Sequence, residues 1–358
     1  MAGFRDIVGH GQVIEHLKNA VCMDTVSHAY IINGPDHAGK RMLAEAFAMT
    51  LQCETVQAQL AGSAGRPRHE LLQGSETVQA HRDIRTEPCM ECRSCRQAAG
   101  KNQPDIIYVT HDKTAISVGD IRVQINQDII IKPYSSKYKI YIVDEAEKMN
   151  IQAQNALLKT LEEPPPYAVI LLLTANTDAF LPTICSRCVT LNLKAVEDDK
   201  IRAVLMERYH VPDYQADISV AFAQGNVGRA ILLASSEQFA SLRDYVVQMV
   251  RRIGDMPSYD MGKELETLLD RKEDIPVFFD LLLLLFRDVL LYKAAADEEH
   301  LIFQGQSHMI KQMAGRSTFS GLELILQAIG TADRRIRANV NAPLTLELLL
   351  MNIKENIA

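Results

Sequence analysis

Gly34-Pro35-Asp36-His37-Ala38-Gly39-Lys40-Arg41 has the spacing of a phosphate-binding loop, with an apolar run before it and a helical pattern after it. Glycines at such spacing let backbone N–H groups turn toward phosphate oxygens, and the helix start adds a positive dipole. Lys40 would reach the terminal phosphates. Gly34, Gly39 and Lys40 are therefore candidate nucleotide-binding residues. The next position carries Arg41, where a working loop has Ser or Thr to hold Mg²⁺. The loop reads as degenerate. Asp144 and Glu145 close the apolar run Ile140-Tyr141-Ile142-Val143. In nucleotide-binding folds the first such acid holds Mg²⁺ and the second polarises the attacking water. The plainer reading is two solvated carboxylates at a helix start. Cys89, Cys92 and Cys95 cluster three soft ligands at metal-binding spacing, and tetrahedral Zn²⁺ wants a fourth. Cys53, at the end of the helix after the loop, is the first candidate, with His81 and His69 behind it. A four-ligand site is closed, so this zinc would be structural. Arg187 stands in Ser186-Arg187-Cys188. Taken alone, an arginine there would be a surface ion pair, and Cys185 and Cys188 read as packed thiols.

These residues need elements to hold them. Ala29–Asn33, Asp105–Val109, Lys139–Val143, Ala168–Thr174 and Val189–Leu193 read as strands. Lys40–Gln52 has helical periodicity, with Leu43, Ala44, Phe47, Ala48 and Leu51 on one face. Ile116–Ile131 and Glu145–Glu162 read as helices, the second stopped by Pro164-Pro165-Pro166. Strands separated by helices imply a parallel, doubly wound α/β sheet. After Lys194 the strands stop. Glu197–His210 and Tyr214–Gln224 read as short helices, and everything from about Ser235 onward is helical and Leu-rich. Glu54–Pro88 lacks apolar periodicity and reads as a surface insertion or disordered loop.

Composition narrows the function. The 358 residues suggest two or three domains. Lys and Arg number 38 against 45 Asp and Glu, a net charge of −7. A stand-alone duplex binder would be basic, so any nucleic acid is met locally or through partners. There is no Trp and aromatics make up 6%, which disfavours a base-stacking platform. The seven cysteines, an odd number without a secretion signal, point to reduced thiols or metal. The longest apolar stretch, Val277–Leu291, is broken by Asp280, Arg287 and Asp288 and is too short to span a bilayer. The expectation is a cytoplasmic protein with no membrane partner.

The order of these features resembles one family. Phosphate loop, inserted cysteines, Asp-Glu after a strand, the segment Ala153-Gln154-Asn155-Ala156-Leu157-Leu158-Lys159-Thr160-Leu161-Glu162-Glu163-Pro164, then Ser-Arg-Cys and a helical end are similar to the AAA+ subunits of the bacterial sliding-clamp loader. Ser27-His28-Ala29-Tyr30 fits as well. The resemblance covers residues 1 to about 235; beyond that the chain matches in being helical. It implies an AAA+ nucleotide-binding-type domain over 1–194 with a zinc module near 53–95, a helical lid over 195–235, and an all-α collar for oligomerisation over 236–358. Two kinds of chain in the family carry both the cysteines and Ser-Arg-Cys: a tau/gamma-type ATPase and a delta-prime type with a degraded loop. Arg41 places this chain with the second. The separation of Cys53 from Cys89 is longer than the family's.

The resemblance further implies that Arg187 is an arginine finger in the ATP site of a neighbouring tau/gamma subunit, and that Arg229 holds the lid's nucleotide-sensing position. Implied partners are the tau/gamma and delta subunits, the sliding clamp, and primed DNA through the assembled complex. Structural Zn²⁺ is expected and Mg²⁺ is not, with ATP or ADP binding in doubt. The chain would belong to a DNA-directed DNA polymerase holoenzyme, a nucleotidyltransferase complex, while having no polymerase or ATPase activity of its own. The alternative is an active clamp-loader ATPase of the tau/gamma type, against which Arg41 argues. A zinc-containing DNA-binding protein of another kind is disfavoured by the acidic balance.

Overall fold

The structure is a computed structural model and describes residues 3–63, 86–110, 115–271, 274–298, 300–338 and 340–357. His69 and His81 lie outside the described residues.

Five parallel strands form one sheet: β1 (Ala29–Asn33), β2 (Ile106–Val109), β3 (Lys139–Val143), β4 (Ala168–Thr174) and β5 (Val189–Asn192), in the order β2-β3-β4-β1-β5. Ile31 of β1 lies opposite Leu172 of β4 and Thr190 of β5. All residues of β3 and β4 are buried. That is what continuous apolar runs require when helices cover both faces of a parallel sheet. Side chains alternate across the pleat. Tyr30, Ile32, Ile142 and Leu171 pack with Leu43, Phe47 and Leu51 of α2 (Lys40–Gln52), which follows α1 (Gly11–Cys22). Ile31, Tyr141 and Leu172 pack on the other face with Leu157 and Leu161 of the helix that follows β3. The expected doubly wound arrangement is present.

The insertion after α2 begins with a helix, α3 (Glu54–Ser63), where a loop was expected, and α4 (Arg93–Ala99) follows the cysteines. The expected helix over 116–131 is two shorter pieces. Ser117 caps α5 (Val118–Ile121), its hydroxyl accepting from Asp120 N. A π turn, Arg122–Asn126, follows, with Gln127 N donating to Arg122 O. The wider turn keeps Ile121, Ile125 and Ile129, spaced by four, on one buried face. The expected helix from Glu145 starts later, because Glu145 is left-handed at φ +50° and Lys148 O accepts from Ile116 N. α6 (Ile151–Glu162) starts after Asn150, whose side chain accepts from Ala153 N. α7 (Pro182–Cys185) precedes β5.

The elements of the described remainder are helices: α8 (Asp198–Tyr209), α9 (Asp213–Ala223), α10 (Val227–Ser235), α11 (Glu237–Ile253), α12 (Ser258–Asp270), α13 (Ile275–Ala295), α14 (Ser307–Arg316), α15 (Phe319–Arg337) and α16 (Ala342–Ile357). The chain separates into two compact units. One is residues 1–200 with Asn226–Arg229; the other is Ile201–Gly225 with 230–358. The second unit has its own core, built on Phe278, Leu282, Leu285 and Phe286 of α13. Ile218 and Phe222 of α9 join that core. No helix among the described residues is long and apolar enough to cross a membrane.

Candidate nucleotide loop and metal centre

The loop leaves β1 at Asn33 and enters α2 at Lys40. Gly39, at φ +89°, caps the helix in a conformation open to glycine. Gly34 lies against Leu193, which a Cβ would approach to 2.9 Å. The loop's own lysine is turned back on it: Lys40 Nζ donates to Gly34 O at 2.6 Å and Pro35 O at 3.1 Å.

Arg41 is bound in three directions. Its Nε donates to Glu45 at 3.1 Å, its Nη1 stands 3.6 Å from Asp144 Oδ2, and its guanidinium lies 5.6 Å from the Tyr108 ring centre. Burial, then the Glu45 charge, pushes the Tyr108 phenol up to about 12. Glu145 takes Lys148 Nζ at 2.7 Å. Each member of the predicted acid pair thus carries a cation from its own chain.

A second segment closes on the loop. Asn226 Nδ2 donates to Asp36 O at 2.6 Å, and Asn226 Oδ1 accepts from Arg229 N at 3.1 Å. A Cβ on Gly228 would lie 2.2 Å from His37 O, so only glycine fits there. Arg229 is exposed beside this contact. Arg187 Nη1 donates to Thr183 O at 2.9 Å and Nη2 pairs with Glu162 at 2.9 Å, with about a third of the side chain (35%) exposed. The structure thus brings Lys40 onto Gly34 and Arg41 onto Asp144, while the partners of Arg187 are on α6 and α7. Burial, aided by nearby Cys185, pushes the Cys188 thiol up to about 12, which suits a packed, unreactive thiol.

Sequence reasoning missed Tyr108, Glu45 and Asn226. Glu45 was legible as the i+4 partner of Arg41. Tyr108 and Asn226 act across long separations that no local pattern reveals.

Cys53, Cys89, Cys92 and Cys95 converge, their sulfurs all within 4.8 Å of one another. Four thiolates on zinc at about 2.3 Å would stand about 3.8 Å apart, so the cluster fits that ion with a small contraction. Backbone N–H groups already face sulfur: Cys92 N to Cys89 Sγ at 3.2 Å, Cys89 N to Cys53 Sγ and Cys95 N to Cys92 Sγ, both at 3.4 Å. Such donors favour the thiolate that a metal needs. A hydrogen bond from Cys95 holds the Cys53 thiol well below its usual range and raises Cys95. Left-handed Met90, φ +64°, bends the chain between Cys89 and Cys92. The four cysteines could hold a metal ion.

A phosphate loop after β1 and an acid after β3 of a parallel sheet define a P-loop-type α/β domain, here joined to a helical unit. Residues 9–70 and 60–197 match the family described as DNA polymerase III, delta subunit, and 256–355 match its C-terminal part. The chain belongs to this DNA polymerase III delta subunit family. It is 28% identical over 348 residues to DNA polymerase III subunit delta' of Bacillus subtilis (strain 168), covering 96% of each chain. It is also 28% identical over 320 residues to subunit tau of that organism, covering 84% of this chain and 52% of tau. Subunit tau of Escherichia coli (strain K12) is 30% identical over 199 residues, 26% of its length. The chain therefore spans about half of these tau relatives or less. A gamma subunit-related protein of Thermotoga maritima has a solved structure that aligns over 96% of this chain and 99% of that one, at 19% identity and a TM-score of 0.45.

Proposed function

We propose that the chain is a non-hydrolysing, delta-prime-type subunit of the DNA polymerase III clamp loader, with an AAA+ module, a lid and a collar over 1–194, 195–235 and 236–358. The observation that carries this reading is Arg41 at the Mg²⁺-ligand position, pairing with Asp144. The 28% identity to a delta' subunit over 96% of this chain supports it.

In this reading Arg187 acts in trans. It would enter the ATP site of a tau/gamma neighbour and stabilise charge on the γ-phosphate, worth roughly 10³–10⁵ in rate. A planar, permanently charged fork suits phosphate oxygens. To do so the guanidinium must exchange Glu162 for phosphate, and a half-exposed pair lets go at small cost. Zinc would be the metal of the four cysteines, with a structural role. Arg229 would serve the lid. The helical C-terminal unit would hold tau/gamma and delta together, and clamp and primed DNA would be met in the assembled, cytoplasmic complex.

The test is steady-state ATP hydrolysis by the purified chain, alone and then with tau/gamma, delta, clamp and primed DNA. The expected result is no turnover alone and DNA-stimulated turnover on mixing, strongly reduced by Arg187→Ala at full assembly. Unchanged turnover with Arg187→Ala would remove the finger. Turnover by the chain alone, abolished by Lys40→Ala, would favour the active tau/gamma-type ATPase instead.

A further inference from the structure

P-loop folds that act on nucleoside triphosphates hold Mg²⁺ between the loop's Ser or Thr and the acid after β3. The residues of this chain do not fit that ion. Its place is contested by a permanently charged group of the protein: Arg41 Nη1 is 3.6 Å from Asp144 Oδ2. The group is held from the sides as well. Glu45, itself largely buried, takes Nε at 3.1 Å, and the Tyr108 ring lies beneath the guanidinium. Glu145, the second acid, is committed to Lys148 at 2.7 Å. Lys40 is spent on loop carbonyls.

We infer that Arg41 is a tethered cation in the place of the divalent metal, so that Asp144 is neutralised from within the chain and the site excludes Mg²⁺. The first acid then has a structural role. Asp144 anchors Arg41, and Arg41 joins the start of α2 to the ends of β2 and β3. Electrostatics supports the exclusion. The pair with Asp144 is half exposed, so it is Glu45 and the Tyr108 ring that keep the guanidinium in place; a divalent ion beside it meets a like charge within a few ångströms, and Arg cannot relieve this by losing its proton. This inference deepens the non-hydrolysing reading and rests on it, but its readout is metal uptake by the isolated chain, which is independent of Arg187 and of assembly.

The experiment is Mn²⁺ binding followed by electron paramagnetic resonance, using the full chain with a non-hydrolysable ATP analogue. Five proteins are compared: wild type, Asp144→Asn, Arg41→Thr, Arg41→Gln, and Arg41→Thr combined with Asp144→Asn. Wild type should leave the free Mn²⁺ signal as it is with the nucleotide analogue alone. Arg41→Thr should take up about one Mn²⁺ per chain in the presence of nucleotide, and adding Asp144→Asn should abolish that uptake. Arg41→Gln removes the charge at similar length and should also take up Mn²⁺. Far-ultraviolet circular dichroism checks that each variant is folded. Uptake by wild type that Asp144→Asn abolishes would overturn the inference, because Asp144 would then be free for metal beside Arg41. Folded Arg41→Thr and Arg41→Gln that both take up none would overturn it too, since the guanidinium would not be what keeps metal out.

Discussion

Arg187 and Asp288 show how differently two charged residues can matter. Arg187 is partly exposed and pairs with an exposed glutamate, an arrangement worth at most about 1 kcal/mol. Arg187→Ala should therefore leave the thermal midpoint nearly unchanged, within that margin, while the proposed finger role predicts a fall in the ATPase of a tau/gamma partner. A large loss of stability would assign it a structural role. Asp288 is fully buried in the helical unit, accepting from Phe303 N at 2.7 Å and standing 3.1 Å from the exposed Arg287. Burial, the largest influence, raises its pKa above the ordinary 3.8 despite these contacts. The unfolded chain thus loses this proton at lower pH than the folded one. The contribution to stability is full below the ordinary value and falls as pH rises through the folded pKa. Asp288→Asn should flatten that slope, read as urea midpoints across pH. At low pH, where Asp288 is protonated, Asp288→Ala should cost about 1–3 kcal/mol by orphaning the Phe303 N–H, and the cost should shrink as pH rises.

Among elements, the strands were the most legible. Runs such as Ala168–Thr174 are bounded by turn residues and buried on both faces, and β1, β3 and β4 fall at the expected residues. The helix over 116–131 was not, because a π turn is held by distant partners: Gln124 Nε2 donates to Thr110 O at 2.7 Å and Asn126 Nδ2 to Ala156 O at 2.9 Å. Likewise Glu145–Glu162 shows helical periodicity that the left-handed turn at Glu145 overrides. The Cys-x-x-Cys-x-x-Cys spacing revealed three members of the cysteine cluster. Cys53 was recognisable only from its place at the end of α2. Because the four sulfurs already converge, the double variant His69→Ala/His81→Ala should keep about one zinc per chain by elemental analysis. Cys53→Ser should lose most of it. Loss of zinc in the histidine variant would show that a histidine displaces one of the four cysteines.

At the scale of the whole molecule, the helical unit has a solvent-facing groove between α15 and α16, about 360 Å³, lined by Leu324, Ala328, Arg335, Leu348 and Asn352. Leu324 and Leu348 are each nearly half exposed. The collar reading predicts that Leu348→Arg, at an exposed position, changes the melting temperature little but weakens co-assembly with tau/gamma and delta, measured by size-exclusion chromatography with light scattering. Full assembly by this variant would move the contact elsewhere. The other feature at this scale is the turn Asn226–Arg229, which clasps the phosphate loop at Asp36 and His37. It makes the first unit discontinuous in the chain: four of its residues arrive only after 25 that belong to the other unit. The two units are interleaved in sequence and cannot be separated by one cut. A fragment ending at Lys200 would lose the piece that covers its own loop, and protease should cleave that fragment between Pro35 and Ala38 faster than the intact chain. During synthesis the same order holds, so the loop stays uncovered until the turn has emerged.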